Sequence, residues 1–555
     1  MRVEELLRGL ADPSAFPAGG DRVEVIQTHI SVVFLVGDRV YKVKKPVSLW
    51  GLVDYSTAEK RLRACEDEVR LSGRFAPGVY LGVVPIVRRG SALAVGAPGE
   101  PVEHAVAMRR IPKGATLAER LAAVATGEDD VRACAAWLAR AHDAAPRGPR
   151  VARAGRPVVF ARILRQNVSA TRSAPPGAIP PPVLAWFATR LGRLLRGNRA
   201  ALARRAREGR LVEGHGDLRA EHMVRLDSIG GSGWGAIDSI EFSESLRSID
   251  PLSDAAFLAM DLASLGRRDL ADAFLADYLA ARPDPDAKAL LPLFLAYRAH
   301  VRAKVDAHRA SDGDAPASDR ARAERSALRH LALAWSYARE GNRPLLVVLA
   351  GASGTGKSAF ARRAAPLLAA EWVQSDVIRK AVAGIPVTHR PSEEEAKALY
   401  GPKLSWITYE RLHAQGVRRL RAGRSVILDA TFLRRGPRKR AIDDALAAGA
   451  VPVVLRFSVP EDVARARIEA RAKAGTDPSD ADFAVHLDQI AKEEPPAAAE
   501  RPFFVDHDGR EEPEVAIGKV LERYVATDVG RHRSDPAVRI LDQKRSPPAA
   551  GGDRF

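Results

Sequence analysis

The stretch RPLLVVLAGASGTGKSAFARRAAPLL (343–368) limits what the C-terminal half of the chain can become more tightly than any other feature. An apolar leucine and valine run leads into GASGTGKS, which matches G-x-x-x-x-G-K-[ST] from Gly351 to Ser358, and an amphipathic helix pattern follows. Strand, glycine-rich loop and helix in that order make an anion cradle. Gly351, Gly354 and Gly356 let the backbone curl, so that the N–H groups along Ser353, Gly354, Thr355 and Gly356 turn toward one anion, and the helix adds its positive end. In such a loop Lys357 reaches the β- and γ-phosphates of ATP, and the Ser358 hydroxyl ligates Mg²⁺.

A phosphate loop alone does not separate motors, switches and kinases, so the flanking residues decide. QSDVIRK (374–380) follows a short apolar segment and places Asp376 and Arg379 at the end of a second strand, the edge where open α/β sheets form their ligand crevice. Asp376 there either accepts the proton of an attacking hydroxyl, with Arg379 holding the substrate, or caps the next helix. GRSVILDATF (423–432) reads as a buried strand ending in Asp429 and Thr431. Asp429 either supports the metal, as Walker-B acids do, or caps a helix, and Thr431 faces the substrate. PEDVARARIEARAKAGTDPSDADF (460–483) spaces Arg467 and Arg471 by four, on one helical face. The two guanidiniums fit a lid that neutralises a transferring phosphoryl group, with the Gly-Thr-Asp-Pro break as its margin; a solvated helix is the alternative.

The ordered set G-x-x-x-x-G-K-S, S-D-V-x-R and D-A-T-F resembles the small P-loop kinases, the group of gluconate kinases, polynucleotide kinases, and chloramphenicol and zeta-toxin phosphotransferases. The resemblance covers about 343–525 and implies ATP-dependent phosphorylation of a hydroxyl, with Asp376 on the substrate side.

The N-terminal half carries a second phosphotransferase pattern. GDRVYKVKKP (37–46) reads as a turn and a strand bearing Lys42 beside Lys44, and CEDEVRLSGRF (65–75) has helical spacing with Glu66 and Glu68. In a protein-kinase-like fold a strand lysine holds the α/β-phosphates and pairs with a helix glutamate; Glu68, which leads the apolar face, is the expected partner. EGHGDLRAEHMVRL (213–226) contains H-G-D at 215–217, and GWGAIDSIEF (233–242) ends an apolar strand at Asp238. Asp217 fits the acid beside the acceptor hydroxyl and Asp238 the magnesium-ligating acid. This order resembles the aminoglycoside and choline phosphotransferases. The half as a whole, with QTHISVVFLVGDRVYKVKKP, FAPGVYLGVVPI and IDSIEFSESLRSIDPLSDAAFLAMDL, resembles a bacterial family that fuses a phosphotransferase-like domain to a P-loop ATP-binding domain. One position departs from the group: five residues after Asp217, where Asn serves as a magnesium ligand, stands His222, a nitrogen donor that Mg²⁺ disfavours.

Composition sets the frame. At 555 residues the chain is too long for one compact domain, and 46% apolar content supplies ample core. Cys65 and Cys134 cannot build a disulfide framework, and LLVVLAGA (345–352) falls far short of the ~20 apolar residues that span a bilayer, so a reducing cytoplasm is expected. The net charge of +17 is dispersed and lacks aromatic-interleaved basic strands. It favours a small acidic molecule or nucleotide over nucleic acid.

The expected architecture is a protein-kinase-like domain over 1–309, a linker and connecting helix over 310–342 centred on ASDGDAPASD, a doubly wound parallel P-loop domain over 343–526, and a disordered tail from 527. SAPPGAIPPP (173–182) reads as a loop inside the first domain. The function that follows is an ATP- and Mg²⁺-dependent kinase acting on a small-molecule hydroxyl. A regulatory or stress-associated nucleotide-binding protein and a nucleic-acid 5′-hydroxyl kinase are the alternatives.

Overall fold

The computed structural model describes residues 2–534 apart from 18, 50–52, 91, 124–126, 174–177, 340, 390 and 475–480. It divides into two compact units, Met1–Ala170 with Gly192–Ala299, and Thr171–Leu191 with His300–Phe555.

The first unit is built on an antiparallel sheet of β1 (Val23–Gln27), β2 (Ser31–Val36), β3 (Arg39–Lys44), β4 (Tyr80–Arg89), β5 (Ala92–Val95) and β6 (Pro101–Arg109), in the order β1-β2-β3-β6-β4-β5. Alternation along β2 and β3 buries Val32, Phe34, Val36, Tyr41 and Val43 on one face. Lys42, between Tyr41 and Val43, therefore projects from the opposite face, toward α1 (Ala58–Phe75). Downstream lie two short paired strands, β7 (Met223–Arg225) and β8 (Trp234–Ala236), and the almost wholly buried α2 (Pro251–Ser264). This is the two-lobed protein-kinase-like arrangement of small sheet, helix and helical lobe.

The second unit contains a five-stranded parallel sheet. Its elements are β9 (Leu345–Ala350), α5 (Lys357–Leu368), β10 (Ala370–Gln374), α6 (Ser375–Ala383), α7 (Pro402–Arg421), β11 (Ser425–Asp429), β12 (Val451–Ser458), α8 (Glu461–Ala474), α9 (Phe483–Ala491), β13 (Phe504–Asp508) and α10 (Pro513–Ser534). The strand order is β10-β11-β9-β12-β13. All six residues of β9 are buried, as a central parallel strand covered on both faces requires. The connection from β9 passes over β11 to reach β10, so a crevice opens at the carboxyl ends of β9 and β11.

The boundaries differ from the sequence expectation in three places. The division falls at 299/300, inside α3 (Ala287–Ala310), and ASDGDAPASD is the turn from α3 into α4 (Ala317–Ala338) within the second unit. Gly, Pro and Asp mark a helix-hairpin turn and an interdomain linker alike, and the buried Leu328, Leu331 and Trp335 show that α4 is core, not connector. The segment at 171–191 crosses into the second unit, where Trp186 stacks on Trp335 at 6.0 Å. The expected tail begins too early, because α10 continues to Ser534 and its buried Asp528 accepts from Trp186 Nε1 at 3.0 Å. No described helix is long and apolar enough to cross a membrane.

Candidate functional site

The loop between β9 and α5 forms one wall of a cleft of ≈ 720 Å³. Its backbone is possible only with glycine where the chain turns: Gly351 has φ +126, and a Cβ there would lie 2.4 Å from Phe457 O. Helix α5 begins at Lys357 after Gly356. Its first N–H groups lack intrahelical acceptors and face the loop interior, the cradle anticipated from Gly351 to Ser358.

Lys357 is buried, and its Nζ donates to Ala352 O at 2.7 Å. Burial pulls its ammonium down to about 8, and the charge of Arg471 adds to this, while Asp429 and Asp376 act in the opposite sense. Both predicted acids therefore stand near enough to Lys357 to be felt by it. Neither caps a helix. Asp376 sits in the first turn of α6, whose N-cap is Gln374, and Asp429 ends β11, five residues before Arg434 caps the following helix. Asp429 Oδ2 accepts from Trp372 Nε1 at 3.1 Å.

Asp376, Arg379, Asp429 and Thr431 all line the cleft with the loop. Arg379 is buried; its Nη1 donates to Leu399 O (3.2 Å) and Ser405 Oγ (3.1 Å), and its guanidinium lies over Tyr400 at 4.7 Å. Thr431 is fixed through its carbonyl, which accepts from Gly351 N at 2.9 Å, and its hydroxyl stands 3.4 Å from Tyr409. The paired arginines of α8 part company. Both line the cleft, but Arg471 donates to Ala481 O at 2.6 Å and its charge acts on Lys357, whereas Arg467 bonds the loop itself through Thr355 O (3.4 Å) and also Gly509 O (2.9 Å). The Gly-Thr-Asp-Pro break at 475–478 lies outside the described residues.

Sequence reasoning missed α9. Gln489 Oε1 accepts from Ser353 N at 2.7 Å, and the fully buried His486 donates from Nδ1 to Ser353 O at 2.6 Å. No local pattern marks these side chains, since the contact joins residues 136 positions apart.

The donors of the cleft suit a nucleotide–metal complex. A buried lysine whose Nζ rests on a neutral carbonyl, with Asp429 and Asp376 acting on it without bonding it, has room for the closer negative charge that a phosphate supplies. Ser358 and Asp429 present the oxygen atoms that Mg²⁺ prefers.

In the first unit the predicted residues also converge. Lys42 Nζ lies 2.9 Å from Glu68 Oε1 and 2.6 Å from Asp238 Oδ1. Glu68 is buried while Glu66 is exposed, so the apolar-face argument selects the right acid. Lys44, two residues along the same strand face, takes a larger part than its place beside Lys42 suggests: its Nζ is 2.5 Å from Glu68 Oε2 and also pairs with Glu241, which accepts from Tyr55 OH at 2.7 Å. Burial disfavours both ammonium groups, but Asp238, Glu68 and Glu241 outweigh it and hold them above the usual lysine range. Asp238 adopts φ +63, a left-handed conformation that Asp tolerates, and its partly exposed carboxyl is held below the usual range by Lys42.

The H-G-D loop is anchored from below. Asp254 of α2 accepts from His215 N (2.7 Å) and Gly216 N (2.9 Å), and Arg298 Nη1 donates to Gly216 O at 2.8 Å. His215 is buried, which pushes its imidazole down to about 4 and keeps it neutral. Asp217 is bonded to Arg219 at 3.3 Å. His222 does not fit the metal-ligand place assigned to it: Nδ1 donates to Asp217 O at 2.7 Å, and Nε2 accepts from Arg219 Nη2 at 3.1 Å. Both ring nitrogens are committed to holding the loop.

An AAA domain family matches residues 346–496. The uncharacterized protein Rv2004c of Mycobacterium tuberculosis is 34% identical over 458 residues, covering 82% of this chain and 87% of that protein, and Mb2027c of Mycobacterium bovis matches to the same extent. Among solved structures, a gluconokinase from Sinorhizobium meliloti aligns with 35% of this chain and 98% of its own (18% identity, TM-score 0.25). A choline/ethanolamine kinase family protein from Mesorhizobium loti aligns with 66% of this chain and 100% of its own (12% identity, TM-score 0.34).

Proposed function

The chain belongs to the same family as the mycobacterial protein Rv2004c, and from that premise we propose that its C-terminal cleft is an ATP-dependent phosphotransferase site acting on a hydroxyl of a small molecule. The observation that carries this reading is the charge layout of the cleft. Lys357 and Arg471 rest on main-chain carbonyls, and two carboxylates, Asp376 and Asp429, line the same cleft.

Each residue then has a task. The loop N–H groups and Lys357 hold the polyphosphate; Ser358 and Asp429 would hold Mg²⁺, which shields phosphate charge when bound. Arg379 and Thr431 orient the acceptor, and Asp376 takes the proton from its hydroxyl as that oxygen bonds to the γ-phosphorus and the bond to the ADP oxygen breaks. Arg471 neutralises charge that builds on the transferring group. Arg467 positions the loop.

At the N-terminal site a nucleotide must first separate Lys42 from Asp238, and this favours the C-terminal cleft as the principal place of phosphoryl transfer. The test is a panel of hydroxyl metabolites incubated with ATP and Mg²⁺ and read by mass spectrometry for an 80-dalton gain, about the mass of one transferred phosphoryl unit. A product formed by wild type and absent with Lys357→Ala supports the reading; equal product from both overturns it.

A further inference from the structure

Helix α9 meets the phosphate loop at the backbone of one residue, Ser353. Ser353 N–H donates to Gln489 Oε1 at 2.7 Å, and Ser353 C=O accepts from His486 Nδ1 at 2.6 Å. Residues 486 and 489 are three apart and so share one helical face. The contact is built from behind as well: Asp482 caps the helix by accepting from Val485 N at 2.8 Å, Phe483 stacks on His486 at 5.4 Å, and Arg465 of α8 lies 3.8 Å over the Phe483 ring. His486 is fully buried and Gln489 lines the cleft.

The Ser353 N–H belongs to the row of donors that a polyphosphate would use. The oxygen of a neutral carboxamide already sits on it. Resting on the reading of the cleft as a nucleotide site, we infer that Gln489 is a resident stand-in for a phosphate oxygen, held on the loop by His486 and displaced when a polyphosphate seats. The stand-in keeps the loop open and its donor satisfied between turnovers, since a buried N–H without an acceptor is costly. The same contact makes each polyphosphate compete with one intramolecular hydrogen bond, so Gln489 lowers apparent affinity and sets how much phosphate a ligand needs in order to bind.

A structural brace and a competitor predict opposite signs, which makes the inference testable by ATP–Mg²⁺ calorimetry on the full-length chain. Gln489→Ala removes the competitor and should tighten ATP about three- to tenfold, the worth of one hydrogen bond. Gln489→Glu keeps the shape but places a carboxylate against the incoming phosphate, and should weaken ATP about tenfold or more. Unchanged or weaker binding by Gln489→Ala would show α9 to be a brace and overturn the inference while leaving the nucleotide site standing. A parallel titration of Lys357→Ala tells the two failures apart: if it binds ATP as wild type does, the nucleotide site itself is misassigned and the inference falls with it.

Discussion

At the N-terminal site Lys42 and Lys44 lie within bonding reach of Glu68, Asp238 and Glu241, whereas at the C-terminal site Lys357 and Arg471 donate to main-chain carbonyls. The consequence shows in the lysines. Carboxylates hold Lys42 and Lys44 above the ordinary range, while burial brings Lys357 down to about 8. One site bonds its ammonium groups directly to carboxylates; the other keeps a buried ammonium bonded to a carbonyl, with its two acids acting from farther off. Two regions that each place a lysine near carboxylates are thus prepared for different work, and the difference lies in what each ammonium touches.

The sharpest way to break this contrast is to remove a group that matters only to chemistry. Asp376→Asn should depress kcat by about 10²- to 10⁴-fold with little change in ATP affinity, as loss of a general base does. Weakened ATP binding with normal kcat would move Asp376 to the nucleotide side.

Next in size are the two lysines. Lys357→Ala should lower ATP turnover about 10²- to 10³-fold, the effect of deleting one preorganised charge donor. Its thermal stability should not fall, because the variant removes a buried cation that has no carboxylate bonded to it. Lys42→Met should do the reverse, costing about 3–5 kcal/mol by leaving part of a buried carboxylate network uncompensated, with little effect on turnover at the C-terminal cleft. Denaturant melts of both variants check the pair, and matching stability losses would erase the distinction.

The smallest expected effect is in pH. Phosphate binding needs Lys357 charged, so ATP affinity should decline as pH rises through about 8 and approach a tenfold loss per pH unit above it. Since a bound phosphate restores the ammonium, binding near pH 9 should take up close to one proton, measurable by calorimetry in buffers of different ionisation enthalpy. No proton uptake would mean that Lys357 is already held protonated before the phosphate arrives, as Lys42 is by its carboxylates.

Much of this was legible in the sequence wherever chemistry is carried by contiguous residues. GASGTGKS dictates its own loop, H-G-D lies on one turn, and Lys42 and Glu68 follow from strand alternation and a helical apolar face. What stayed hidden depends on distant segments meeting: Glu241 joins Lys44 across 197 positions and Gln489 joins Ser353 across 136. His222 is a related case, because spacing places it five residues after Asp217 but only the fold shows Arg219 and the Asp217 carbonyl bonded to its ring. The 310–319 turn was misplaced as a boundary because turn chemistry does not say whether the helices it joins pack within one unit.

The central claim, that the open charge lies in the C-terminal cleft, is tested most directly by titrating ATP–Mg²⁺ into the full-length wild type, Lys357→Ala and Lys42→Met side by side. The account predicts that the tighter binding event disappears in Lys357→Ala and persists in Lys42→Met. Its loss in Lys42→Met and survival in Lys357→Ala would place the principal nucleotide site in the N-terminal unit and contradict the account.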